Sequence, residues 1–358
     1  MVQSAPRQRA ATEMSQALRV LIIDDSAVAR AALSRMINGE PDFVVAAALD
    51  GARRAIEWLR ANHVDIVLLD IQMPGLDGLA ALPELIVAGR GAHILIVSTL
   101  AEAGARATIE ALSLGATDTL AKPGVGELGG RFAALLTDRM RRLGEAKPCA
   151  RKQSVGEPAP LRPAAQVPVA CLAIGASTGG LHALAAFFGA LPSDFDAPVL
   201  VTQHLPTVFM PFFADQLARM SGRPCSVAVD GAALERGTIM VAPGDAHLGC
   251  VERNGTVRAQ LLDHDAISRC KPSVDPMFES VAAVFGSAAL GVVLTGMGRD
   301  GSSGAAAIVD AGGTVLAQDA ASSAVWGMPG SVSRAGLASM VASPASLARH
   351  VAQCGVRR

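Results

Sequence analysis

The sequence contains no tyrosine and only two tryptophans, and aromatic residues make up 3% of it. That scarcity excludes the stacking platforms on which single-stranded nucleic acids are held. Neither sign of charge dominates: 31 Lys and Arg stand against 32 Asp and Glu. The electrostatic footprint of a nucleic-acid-binding surface is therefore missing, as is an acidic tail. Six cysteines are scattered with no C-x-x-C pair, so neither a zinc site nor a thioredoxin-like motif is signalled. Reduced thiols in a cytoplasmic protein are the expectation. No apolar run approaches the roughly 18 residues that a membrane helix needs, and the first 13 residues are polar, without the core of a signal peptide. These absences predict a soluble cytoplasmic protein with no nucleic-acid partner and no membrane insertion.

What is present is apolar substance and regular alternation. Half of the 358 residues are hydrophobic, enough for two domains of ordinary size. Residues 1–17 read as a flexible tail. From Leu18, short apolar runs at 20–23, 43–48, 66–69, 94–97 and 117–121 alternate with amphipathic helical patterns, the last at 131–143. Strands separated by helices predict a doubly wound, mostly parallel sheet. Periodicity disappears over 144–167, where Pro148, Pro158, Pro160 and Pro163 mark a linker. Alternation resumes from 168 to 355, with strands expected at 169–174, 198–203, 226–229, 239–242, 257–262, 290–294, 314–317 and 339–341. The expected fold is α/β throughout: a flavodoxin-like five-stranded parallel domain at 18–143 and a second doubly wound, mostly parallel domain at 168–355.

The first domain gathers carboxylates at strand ends. Asp24 and Asp25 follow one strand and Asp70 another, while Ser98 and Lys122 close two more. Open parallel sheets carry their functional groups at the carboxyl edge. Three carboxylates there repel one another unless a hard cation such as Mg²⁺ sits among them. A single Asp after a strand is an ordinary helix cap; five such groups at successive strand ends are not. The stretches IIDDSAVAR, VLLDIQMPGLDG, IVSTL and LAKPG resemble the receiver domain of two-component response regulators. The resemblance implies that Asp70 accepts a phosphoryl group, that Asp24, Asp25, Asp70 and the carbonyl of Gln72 hold Mg²⁺, and that Ser98 and Lys122 sense the phosphoryl group. Receivers usually carry an aromatic residue three positions before the lysine, where this chain has Thr119.

The second domain opens on VACLAIGASTGGLHALAAFF, a strand, a glycine turn and a helix. Within it, Gly175 to Gly179 matches G-x-S-x-G, which presents the hydroxyl of Ser177 at a helix N-terminus. A dinucleotide loop would share this outline, but it wants an acidic residue at the end of the next strand. Here that strand ends in His204. A third strand leads into TGMGRDG and so to Asp300. Serine is a weak nucleophile that needs an imidazole base oriented by a carboxylate, and Ser177, His204 and Asp300 supply that set at three strand ends. Their order differs from that of α/β-hydrolases. His247 and His264 are alternative bases. Each residue alone has a structural reading: Ser177 or Asp300 as a helix cap, His204 as a core histidine.

The motifs IGASTGG, TQHLP, APGDAHL, KPSVDPMFES and VLTGMGRDG resemble the chemotaxis protein-glutamate methylesterases. That resemblance implies phosphorylation-activated hydrolysis of γ-glutamyl methyl esters on chemoreceptors, deamidation of certain glutamines, and a histidine kinase as phosphodonor. It makes Ser177 the nucleophile, His204 the base and Asp300 its orienting carboxylate, with the N–H groups of Met297 and Thr178 as oxyanion hole. The esterase chemistry needs no cofactor under this reading. A binding module with an inert hydrolase remnant, or an esterase acting on another signalling protein, are the competing readings.

Overall fold

The structure, a computed structural model, describes residues 17–73, 78–98, 102–122, 129–145 and 160–355. Most of the expected tail, the middle of the expected linker and parts of the motifs after three strands of the first domain lie outside the described residues. The chain forms two compact units, Met1–Lys147 and Pro148–Arg358.

In the first unit, strands β1 (Leu18–Ile23), β2 (Phe43–Leu49), β3 (Ile66–Leu69), β4 (His93–Ser98) and β5 (Asp118–Ala121) form one sheet in the order β2-β1-β3-β4-β5, with every pair parallel. Residues 20–23 and 66–69 are buried on both faces, which is why they read as continuous apolar runs and not as an alternating pattern. The helices α1 (Ala27–Asn38), α2 (Ala52–Ala61), α3 (Gly78–Gly89), α4 (Glu102–Leu114) and α5 (Gly130–Glu145) connect or follow the strands. Helix α1 starts where the Ser26 hydroxyl accepts the N–H of Ala29, and it buries Ala29, Leu33 and Ile37, one residue per turn along a single stripe. Burying a side chain such as Leu33 or Ile37 stabilises the fold by about 1.5–3 kcal/mol.

The second unit is built on a seven-stranded sheet, all of whose pairs are parallel. Its strands are β6 (Cys171–Ala176), β7 (Val199–Gln203), β8 (Cys225–Val227), β9 (Ile239–Val241), β12 (Ala289–Val293), β13 (Thr314–Gln318) and β14 (Met340–Ala342), in the order β14-β13-β12-β6-β7-β9-β8. The chain begins in the middle at β6, builds outward through β7, then returns to β12 on the other side of β6. The crevice between β6 and β12 is thus the topological switch point. Helices α6 (Gly180–Phe188), α7 (Met210–Ser221), α8 (Val274–Phe285), α9 (Ser302–Asp310), α10 (Met328–Arg334) and α11 (Pro344–Gly355) complete the unit, and Met277, Phe278 and Val281 of α8 lie in its core.

Two features differ from the sequence expectation. The run at 257–262 does not join the large sheet. It lies in β11 (Thr256–Leu262), antiparallel to β10 (His247–Arg253) in a separate two-stranded sheet. The strand 247–253 was not anticipated. Its signal was Asn254-Gly255, both at positive φ (53° and 73°), the pair that a tight hairpin turn demands. The end of the expected linker is also tied down, because Arg162 N–H donates to Ala338 O and Ala165 N–H to the Thr314 hydroxyl.

Candidate active site and acid cluster

Ser177 is the first residue beyond β6. Ala176 pairs with Gln203 across the β6–β7 ladder, so one further step of the same register sets Ser177 beside His204. The His204 N–H donates to Ala176 O at 3.2 Å, fixing the histidine's backbone there. On the opposite side Ser177 N–H donates to Thr295 O at 3.0 Å. Close approach is possible because residue 296 is glycine: a Cβ there would lie 2.7 Å from Ser177 Cβ and 2.3 Å from Met328 Sδ. The turn from strand to helix takes its left-handed conformation at Gly179, φ 74°, and not at the serine. This distinguishes it from the strained nucleophile elbow that the G-x-S-x-G spacing suggested. Gly180 N–H and Gln203 Nε2 both donate to Ser177 O, at 2.7 and 2.8 Å. The backbone is pinned, while the hydroxyl, on a residue 9% exposed, makes no hydrogen bond among the described residues.

Asp300 is the best-supplied carboxylate among the described residues. Its Oδ2 accepts from His204 Nε2 (2.7 Å) and from Val274 N–H (2.8 Å). Its Oδ1 accepts from the Ser273 hydroxyl (2.6 Å), Gly301 N–H (3.1 Å) and Asp275 N–H (3.4 Å). Ser273 is the N-cap of α8, so Asp300 sits on the free N–H groups at that helix start, where negative charge is favoured. Burial works against ionisation, but the imidazole and these donors more than offset it and hold the carboxyl far below its usual range. Asp275, buried close to that charge, is pushed the other way to about 7, although Gly304 N–H donates to it.

With Nε2 committed to Asp300, Nδ1 is the ring nitrogen of His204 left to take a proton. Burial depresses the imidazole's proton affinity, and Asp300 and the adjacent Cys270 outweigh that effect. His247, the alternative base, has no nitrogen to spare. Its Nδ1 accepts Ser273 N–H (2.9 Å) and its Nε2 donates to His264 O (2.7 Å). It braces the start of α8.

Of the two expected oxyanion donors, Met297 presents an N–H without an acceptor among the described residues, immediately after the glycine that packs on Ser177. Thr178 follows Ser177, and its carbonyl accepts the Thr295 hydroxyl at 3.0 Å. Thr295 N–H in turn donates to Gln318 Oε1 at 2.7 Å. Sequence reading did not single out Gln203, Ser273, Thr295 or Gln318. They hold the site through contacts between segments far apart in the chain, which spacing does not encode.

In the first unit, carboxylate oxygens of Asp24, Asp25 and Asp70 lie within 4.8 Å of one another. Lys122 Nζ bridges Asp24 Oδ2 (2.7 Å) and Asp70 Oδ2 (2.8 Å). Ser98 is buried at the end of β4, and its carbonyl accepts Lys122 N–H at 2.7 Å. Gln72 N–H donates to Asp70 Oδ1 at 3.0 Å. Burial nonetheless dominates at Asp70 and raises its pKa. Burial also opposes the charge of Lys122, where the two carboxylates prevail and raise its pKa. One ammonium therefore under-compensates three acids, and an all-oxygen set of this kind fits a hard divalent cation. Thr119 is buried, with its hydroxyl unpaired.

A family model described as CheB methylesterase matches residues 172–351, and one described as response regulator receiver domain matches residues 20–128. The chain is 39% identical to the protein-glutamate methylesterase/protein-glutamine glutaminase 1 of Rhodospirillum rubrum, over 95% of this chain and 96% of that protein. It is 42% identical to the second such protein of Caulobacter vibrioides, over 90% of this chain and 95% of the relative. The crystal structure of the Thermotoga maritima CheB methylesterase catalytic domain aligns with a TM-score of 0.51 and 36% identity, covering 52% of this chain and 99% of that domain.

Proposed function

The chain belongs to the CheB methylesterase family, and from that premise we propose that Ser177, His204 and Asp300 are the nucleophile, base and orienting carboxylate of a protein-glutamate methylesterase and glutamine deamidase. The substrates are γ-glutamyl methyl esters on cytoplasmic chemoreceptor helices, and the setting is adaptation in chemotaxis. No helix among the described residues is long and apolar enough to cross a membrane, which agrees with a cytoplasmic enzyme.

Ser177 Oγ attacks the ester carbonyl as His204 Nδ1 takes its proton. The tetrahedral oxyanion is held by the N–H groups of Met297 and Thr178, a contribution worth about 10²–10³ in rate per donor. Nδ1 returns the proton to the departing methoxide, giving methanol. Water, activated by the same nitrogen, then cleaves the acyl-serine to glutamate. With a glutamine substrate the leaving group is ammonia. Asp300 keeps its charge throughout and steadies the imidazolium. The observation that carries this reading is the Nε2–Asp300 bond beside a serine whose hydroxyl is otherwise uncommitted. Ser177→Ala tests it: methanol release from methylated receptor should vanish while the receiver still takes up phosphate. Retained release would exclude the triad and favour an inert output module.

We assign residues 18–143 to the receiver, 144–167 to the linker and 168–355 to the catalytic domain. Asp70 is the phospho-acceptor, and a chemotaxis histidine kinase is the donor. Asp24, Asp25, Asp70 and the Gln72 carbonyl would hold Mg²⁺, which neutralises charge on the transferring phosphoryl group. Ser98 and Lys122 then bind the product phosphoryl oxygens. Charge added at Asp70 switches the esterase on.

A further inference from the structure

The mechanism above leaves one thiol beside the base without a task. Cys270 lies between β11 and α8, and its Sγ, one ring nitrogen of His204 and one carboxylate oxygen of Asp300 all fall within 4.8 Å of one another. Sulfur, imidazole and carboxylate together suit zinc, and three protein ligands leave the fourth tetrahedral position open. With ordinary zinc bond lengths the donors must stand about 3.3–3.6 Å apart, so His204 Nε2 and Asp300 Oδ2, now 2.7 Å apart, must open by roughly 0.6 Å, and the Cys270 sulfur, within 4.8 Å of both, must close by at most roughly 1.2 Å. The segment that must move is partly exposed, with Ile267 90% exposed, and the Cys270 thiol is held there by a 3.7 Å contact to Ser268 O that zinc ligation would replace. Asp300 meanwhile keeps the Ser273 hydroxyl and Gly301 N–H on its other oxygen, the outer support that a ligating carboxylate needs.

We propose that His204, Cys270 and Asp300 form a zinc site whose occupancy reversibly switches the esterase off. An ion entering from water displaces the thiol proton, which leaves to solvent. It also binds Nε2 in place of the proton that this nitrogen donates to Asp300; that proton passes through water to Nδ1, so the neutral imidazole carries its single proton there. Protonated there, His204 has nothing with which to accept the proton of Ser177. The site is chemically unlike the all-oxygen cluster at Asp24, Asp25 and Asp70, which prefers a hard cation. The inhibitory consequence rests on the roles assigned to His204 and Asp300; the binding does not.

The test uses the full chain with Mg²⁺ in excess to saturate the acid cluster. Zinc is titrated against methanol release, and cobalt serves as a spectroscopic probe of thiolate ligation. Near-stoichiometric zinc should abolish turnover, a chelator should restore it, and cobalt should give a thiolate-to-metal charge-transfer band. Cys270→Ser should lose that band and require far more zinc to inhibit the methanol release it retains. Since loss of an outer-shell partner alone costs about 10–100-fold in affinity, loss of a ligand should cost at least about 100-fold. Cys354→Ser controls for the other thiol–imidazole pair, Cys354 with His350 at 3.8 Å. Equal zinc sensitivity in Cys270→Ser, or a wild type indifferent to zinc, overturns the site. If metal-free wild type releases no methanol but the Cys270-dependent band appears, the esterase reading fails and the metal site stands.

Discussion

Asp300→Asn is the sharpest probe of the catalytic centre, because every hydrogen-bonding partner of Asp300 is a donor. The carboxylate accepts from His204 Nε2, Val274 N–H, the Ser273 hydroxyl, Gly301 N–H and Asp275 N–H. An amide has one oxygen to offer and must aim its NH₂ at one of two sets. Aimed at Oδ1's partners, it confronts two backbone N–H groups, and His204 keeps its proton on Nε2 but loses the charge that steadies the imidazolium. Aimed at Oδ2's partners, it confronts Val274 N–H and forces Nε2 to accept, which moves the imidazole proton onto Nδ1, the nitrogen that must receive one from Ser177. Either orientation leaves a buried donor unpaired, at about 1–3 kcal/mol of stability. Either also costs catalysis: replacing the carboxylate of such a triad by an amide lowers kcat by about 10⁴, equivalent to about 5.5 kcal/mol of transition-state stabilisation. Thermal unfolding measures the loss of stability, methanol release under saturating substrate the loss of catalysis, and ¹⁵N NMR of the imidazole distinguishes the orientations. A folded Asp300→Asn enzyme within tenfold of wild type would refute the role of Asp300.

Asp70→Asn should abolish phosphate uptake and the stimulation of the esterase by a small phosphodonor, leaving the activity seen without donor; stimulation equal to wild type would remove Asp70 from the control scheme. The raised proton affinity of His204 predicts, with metal chelated, a kcat/KM that climbs with pH, is half-maximal near about 9 and levels only above it, because the imidazole must be neutral to act as base. A plateau already reached at about 6.5, the ordinary histidine value, would contradict it. The same shift stabilises the fold fully below about 6.5 and loses that contribution as pH rises through about 9, which a His204→Ala comparison of unfolding against pH would detect. Gly296→Ala should drive a methyl group into Met328 and Ser177, lowering the melting temperature by an overpacking cost of about 1–3 kcal/mol and displacing Met297 N–H from the reacting carbonyl. A variant with normal turnover would show that this close approach does not position the oxyanion hole.

Sequence pattern reached the proposed reactive groups because they are local features: Ser177, His204 and Asp300 each follow a strand whose apolar run is plain, and so do Asp24, Asp25 and Asp70. The supporting shell was out of reach for a physical reason. Ser273 and Val274 meet Asp300 only because α8 starts against the loop after β12, and helix caps look alike whether they serve a catalytic carboxylate or simply begin a helix. Cys270 looked incidental among scattered cysteines, since nothing in its neighbours records that the chain folds it onto His204. The missed β10 is a different case. Asn254-Gly255 announced a hairpin, but HLGCVER alternates too weakly to compete with the stronger strand after it. His247, weighed as a base for its motif, is disqualified only by seeing both ring nitrogens occupied.

The two carboxylates proposed to carry the chain's chemistry are treated in opposite ways, and the difference matches the tasks proposed for them. Asp300 must stay ionised through a whole catalytic cycle without reacting, and it is surrounded by donors until burial no longer disfavours its charge. Asp70 must itself attack phosphorus. Among the described residues its side chain receives only Lys122 and Gln72 N–H, and burial leaves its charge under-supported. A carboxylate wrapped in donors is a poor nucleophile, because each hydrogen bond to the anion must be weakened before its oxygen can form a new bond. One left short of donors keeps its lone pairs available and calls for a cation, which arrives with the phosphoryl group it is to accept. Donor supply around a strand-end aspartate therefore separates the residue that orients from the residue that is modified.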